Sequence, residues 1–60
     1  MADIVAVVTM NRDFVAGGGA PVFIMQSEKG LQEVAFLLEK IMDASAHDLK
    51  NGTIIIVDHQ

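Results

Sequence analysis

Ile54-Ile55-Ile56-Val57 is apolar at every position, and so are Ile4-Val5-Ala6-Val7-Val8 and Val22-Phe23-Ile24-Met25. Runs this short and this rich in β-branched residues read as strands. A strand that is apolar on both sides needs a covering layer on each face of its sheet. Only one segment between these runs has the pattern of a layer. Ser27 offers a helix N-cap, and Glu28 follows it at the positive end of the helix dipole. Gly30 stands where a capping box would place Glu. From there Leu31, Val34, Ala35, Leu38, Ile41, Met42 and Leu49 recur at the spacing of an amphipathic helix, with Glu33, Glu39, Lys40 and Asp43 on other faces.

The expected order is therefore ββαβ, a small α+β domain spanning residues 1–60. The first strand runs from Asp3 to Met10 and ends at Asn11, Arg12 and Asp13, with Phe14 and Val15 extending it beyond a bulge. Ala16-Gly17-Gly18-Gly19-Ala20-Pro21 reads as the wide loop of an antiparallel hairpin leading into a second strand, Val22 to Gln26. Asn51-Gly52 supplies the helix stop, and Thr53 to Asp58 is the last strand. A right-handed crossover through the helix would set that strand parallel to the second, with the first strand central. The result is a three-stranded mixed sheet with one helix on one face. The other face is expected to be bare until oligomerisation completes it.

Size points the same way. Sixty residues bury only roughly 60% of the surface that the unfolded chain exposes, so such domains lean on disulfides, metals or association. Cysteine is absent, and 52% of the residues are hydrophobic, which favours association. Absence of cysteine also removes thiolate chemistry and fits a reducing, cytoplasmic setting. Four basic residues against eight acidic ones give a net charge of −4, the wrong sign for a nucleic-acid partner. The apolar runs are far shorter than the ~20 residues needed to span a bilayer, so no direct membrane insertion is expected.

Phe36 is the candidate anchor for a partner. It lies about 140° around the helix from Leu31, in line with Asp43 and His47 and flanked by Glu33 and Lys40. An aromatic among charges on an outer face is a pattern of interface hot spots. Leu37, about 100° off the stripe, shares the ambiguity of position. The candidate interface comprises Phe36, Leu37, Lys40, Asp43, His47 and Phe14, the last beginning a segment through Pro21 that can extend to a partner. Met10, Met25 and Met42 read as core fillers, and Lys29 with Glu33 and Lys40 with Asp43 as solvated helix pairs.

Chemistry is harder to find. The glycine run opens onto Pro21 and a strand rather than onto a helix N-terminus, so it lacks the form of a phosphate loop. Asp43 and His47 are spaced i to i+4 and can present two metal ligands, with His59 as a third, but there is no HExxH pattern. Ser45 and Thr9 have no histidine placed beside them by sequence. No catalytic residue, cofactor or metal is assigned. The alternative to a binding module is a small ligand- or metal-binding protein, or an enzyme, whose site forms between subunits from His47, His59 and the glycine loop.

The ordered set Ala6-Val7-Val8-Thr9, Val15-Ala16-Gly17-Gly18-Gly19-Ala20-Pro21-Val22-Phe23, Leu38-Glu39-Lys40-Ile41-Met42-Asp43-Ala44, Ala46-His47-Asp48-Leu49, Asn51-Gly52 and Ile55-Ile56-Val57-Asp58-His59 resembles the capping complex subunits for YIEGIA of endospore-forming bacteria. The resemblance implies a non-enzymatic regulatory subunit that assembles with itself or with a related small protein. It also implies a client, YIEGIA, a multi-spanning membrane protein that acts as a protease in sporulation and that capping would restrain. On this reading the chain is cytoplasmic and reaches the membrane through its partner.

Overall fold

The computed structural model describes residues 2–14 and 19–59. Among these residues four strands, β1 (Asp3–Thr9), β2 (Val22–Ile24), β3 (Ser45–Asp48) and β4 (Thr53–Asp58), form a sheet in the order β2-β1-β4-β3. One helix, α1 (Glu28–Met42), packs on it. The α+β class and the place of β1 between β2 and the final strand agree with the sequence reading. The strand count, two pairings and the helix end do not.

The first correction concerns β1 and β2, which are parallel, with Val7 opposite Val22 and Thr9 opposite Ile24. They are not a hairpin. A parallel pair needs a crossover between its strands, and the chain from Met10 to Pro21 is long enough to make one. Within it Arg12–Phe14 forms a short 3-10 turn instead of extending β1. Val15 and the first two glycines fall outside the described residues, as does the reading of Phe14 to Pro21 as a continuous extended arm.

The second correction concerns the helix end. Asp43 takes a left-handed conformation (φ 51°, ψ 51°) and the Ala44 N–H donates to the Glu39 carbonyl at 3.0 Å. This is a bond pattern that closes a helix, and Asp is among the few residues that tolerate the left-handed conformation it needs. The chain then enters a fourth strand, β3, antiparallel to β4. Asn51-Gly52 therefore sits in the turn of the β3–β4 hairpin, where Lys50 and Gly52 supply positive φ, a role that Asn-Gly fills as readily as a helix stop. The final strand is antiparallel to β1, not parallel to β2. It is β3 that runs parallel to β2, from the far edge of the sheet.

The core lies between α1 and one sheet face. Leu31, Ala35 and Leu38 of α1 meet Ala6 and Val8 of β1 and Ile54 and Ile56 of β4, all buried, with Phe23, Met25, Val34 and Met42 partly buried around them. Full burial of a side chain such as Leu31 or Ile56 stabilises by about 1.5–3 kcal/mol. Strand alternation then puts Val7, Thr9, Thr53, Ile55 and Val57 on the opposite face. A shift in register between Ile4 and Ala6 sends Ile4 to that face as well.

That second face is not bare. Val7 and Val57 are each 7% exposed, and Thr9 and Thr53 are buried, which corrects the expectation of a wholly uncovered layer. Thr9 and Thr53 satisfy each other through a hydroxyl contact of 2.8 Å, and the Thr9 hydroxyl also bonds the Asn11 backbone at 3.1 Å. The large apolar side chains that stay exposed on this side are at its rim: Ile4, Val22 and Ile24.

Candidate interaction surface

Leu31, Ala35 and Leu38 commit one side of α1 to the core, so a 100° step per residue fixes what the other side offers. Phe36 and Leu37 are 56% and 55% exposed, and Ile41 is 75% exposed. Ile41 was expected in the core stripe. It stands about 90° from the centre of the Leu31, Ala35 and Leu38 side, and with α1 ending at Met42 no further turn carries the sheet beneath it. Leu49, also expected in the stripe, lies beyond β3 and is exposed. Met10 is exposed rather than a core filler, whereas Met25 and Met42 do pack on the core.

Charge is set against this apolar ridge. The Lys40 ammonium lies 4.7 Å from the centre of the Phe36 ring, a cation–π contact worth about 0.5–1 kcal/mol at an exposed site. It does so in place of the expected pairing with Asp43, which is the C-cap. His47 leaves the helix altogether: it belongs to β3, opposite Ile55, on the face away from α1. The six candidate interface residues thus separate. Phe36, Leu37 and Lys40 share the outer side of α1, Asp43 ends it, His47 is on the sheet, and Phe14 closes the turn after β1.

Sequence reasoning did not anticipate the seam between α1 and β3. A shallow groove of about 160 Å3 runs there, lined by Gln32, Ala35, Phe36, Glu39, Ala46, Asp48 and Ile54. Glu39 Oε2 accepts the Ala46 N–H at 2.8 Å. Gln32 Nε2 donates to Glu28 Oε2 at 2.9 Å and to Asp48 Oδ2 at 3.1 Å. Asp48 Oδ1 accepts the Lys50 N–H at 2.8 Å. The Lys50 amide and then the Gln32 amide hold the Asp48 carboxyl below the usual carboxylate range. Ser45-Ala46-His47-Asp48 carries little β propensity, so no sequence signal marked this seam.

His47 and His59 do come together. Their Nε2 atoms are 3.0 Å apart, with ring centroids at 5.2 Å and ring planes at 71°. Asp43 is not with them, and no group of three metal-ligating side chains occurs among the described residues. No helix among those residues is long and apolar enough to cross a membrane.

Over residues 1–59 the sequence matches the family described as capping complex subunit for YIEGIA. It is 43% identical over 56 residues to the uncharacterized protein YpzH of Bacillus subtilis (strain 168), covering 93% of this chain and 86% of YpzH. No solved structure gives a significant match. A profile match along nearly the whole sequence, joined by this degree of identity to YpzH, means that the chain belongs to the family of capping complex subunits for YIEGIA.

Proposed function

We propose that this chain is a non-enzymatic subunit that docks on YIEGIA through the outer side of α1 and restrains it during sporulation. The observation that carries the reading is that Phe36, Leu37 and Ile41, three large apolar side chains spread over about 140° of one helix, are each more than half exposed. An apolar helix side with an aromatic anchor suits a groove on a larger protein. The family description supplies the identity of that protein. The chain works from the cytoplasm and reaches the membrane only through its client.

A second small subunit, either another copy or a related chain, adds to the edge of β2. Val22 and Ile24 are exposed there. Phe23 uses the β1-facing positions of the ladder, so the backbone groups of Val22 and Ile24 point outward.

Co-purification of the full chain with detergent-solubilised YIEGIA tests the docking. Phe36→Ala and Ile41→Asp should each abolish co-elution while leaving the unfolding transition within a few degrees of the parent. An anchor of this kind contributes about 2 kcal/mol or more. Undiminished co-elution of both variants removes α1 as the docking side.

A further inference from the structure

His47 projects from β3 and His59 follows β4, and both rings are exposed. Among the described residues, the one side-chain hydrogen bond of either ring is to the other. As an imidazole–imidazole hydrogen bond the contact has little to hold it, since water competes for both rings and two side chains must be ordered for one bond. Centroids 5.2 Å apart behind nitrogens 3.0 Å apart set the rings nearly head-on, so both can hold one ion once they turn off the line between them. Two nitrogens bound at about 2.0–2.1 Å to one ion stand about 2.9 Å apart at a right angle and about 3.3 Å apart at the tetrahedral angle. The observed 3.0 Å lies between these values.

We propose that His47 and His59 form a two-imidazole site for a divalent transition-metal ion of the zinc class, held through both Nε2 atoms with water in the remaining positions. Imidazole selects this class over calcium or magnesium, which take oxygen ligands. The net charge of −4 favours approach of a cation. His47 lies within β3 and His59 directly follows β4, the strand paired with it, which keeps the two rings near each other. His47 points away from α1, so the site is independent of the docking side and stands whether or not YIEGIA binds there.

The test is a titration of the full chain with Zn2+, followed by the imidazole 15N resonances and by calorimetry, alongside His47→Gln and His59→Gln. The expected result is saturable binding, a Zn2+-dependent shift of both Nε2 resonances with both Nδ1 resonances little moved, and an affinity at least about tenfold weaker in each variant. Mg2+ at the same concentrations should shift neither ring. No saturation by about 1 mM Zn2+, or unchanged affinity in variants whose circular dichroism matches the parent, overturns the proposal. So does a shift confined to one ring.

Discussion

Glu39 and Ala46 are joined by a hydrogen bond of 2.8 Å in which a carboxylate on the helix accepts the outward N–H of the edge strand β3. The bond ties α1 to the strand that the helix end releases. It also occupies one of the few ladder positions at which another chain could pair with that edge. The opposite edge, β2, has no such stopper at Val22 or Ile24 among the described residues. The two edges of the sheet are therefore unequal, and β2 is the one left open to strand addition.

Glu39→Ala should cost about 1–2 kcal/mol, since it leaves a partly buried N–H without its charged acceptor. Urea unfolding measures the loss. The same variant should associate more readily at high concentration, as a rise in sedimentation mass, because the β3 edge is then unguarded. Equal mass and equal stability in parent and variant would show that the bond matters to neither.

The Thr9 and Thr53 hydroxyls, 2.8 Å apart and buried, give an asymmetric double-mutant cycle. Thr9→Val strands the Thr53 hydroxyl in the interior and should cost about 1–3 kcal/mol. Thr53→Val costs less, because the Thr9 hydroxyl keeps the Asn11 carbonyl. The double Val variant, apolar and equal in shape, should recover much of the Thr9→Val loss. Strict additivity in thermal unfolding would contradict the pairing.

The contacts of Asp48 favour its ionised form. Its carboxyl lies lower in the folded chain than in the unfolded one because the Lys50 N–H and the Gln32 amide bond to its charged form. A depressed carboxyl contributes stability that is fully present above the unfolded value and is lost as pH falls through the folded value. The Asp48 13C carboxyl resonance should therefore titrate below the ordinary aspartate value, and Gln32→Ala should move its midpoint upward. An unmoved midpoint would remove Gln32 as a cause.

Ile41→Lys should change stability by no more than about 0.5 kcal/mol, because the side chain is 75% exposed. Leu38→Ala, one turn earlier and buried, should cost about 2–5 kcal/mol. Paired denaturation curves separate these outcomes, and a large loss at Ile41 would return it to the core.

How far the candidate surface could be read in advance follows from the same helix. The exposure of Phe36 and Leu37 was legible because a 3.6-residue period turns both by 100° or more from Leu31 and Leu38 wherever the helix packs. His47 was not, since its position hung on where the helix stopped. The His47–His59 contact joins residues twelve apart, one on a strand that the sequence pattern had kept in the helix and one just past β4.

Local chemistry by itself determined three things about this protein. Unbroken apolar runs rich in β-branched residues made β1, β2 and β4 extended. The Ser27 hydroxyl, accepting the Gly30 N–H at 3.0 Å, started α1. The apolar period from Leu31 to Leu38 chose the helix side that is buried. These rest on interactions between residues a few positions apart, which a linear pattern records. Tertiary structure decided the rest. A left-handed Asp43 ended the helix, and the free edge of β4 then drew Ser45–Asp48, a segment of low intrinsic preference, into the sheet. The parallel pairing of β1 with β2 was likewise set by the partner available across the sheet, because strand direction depends on the path of the chain between strands and leaves no mark on the strands themselves.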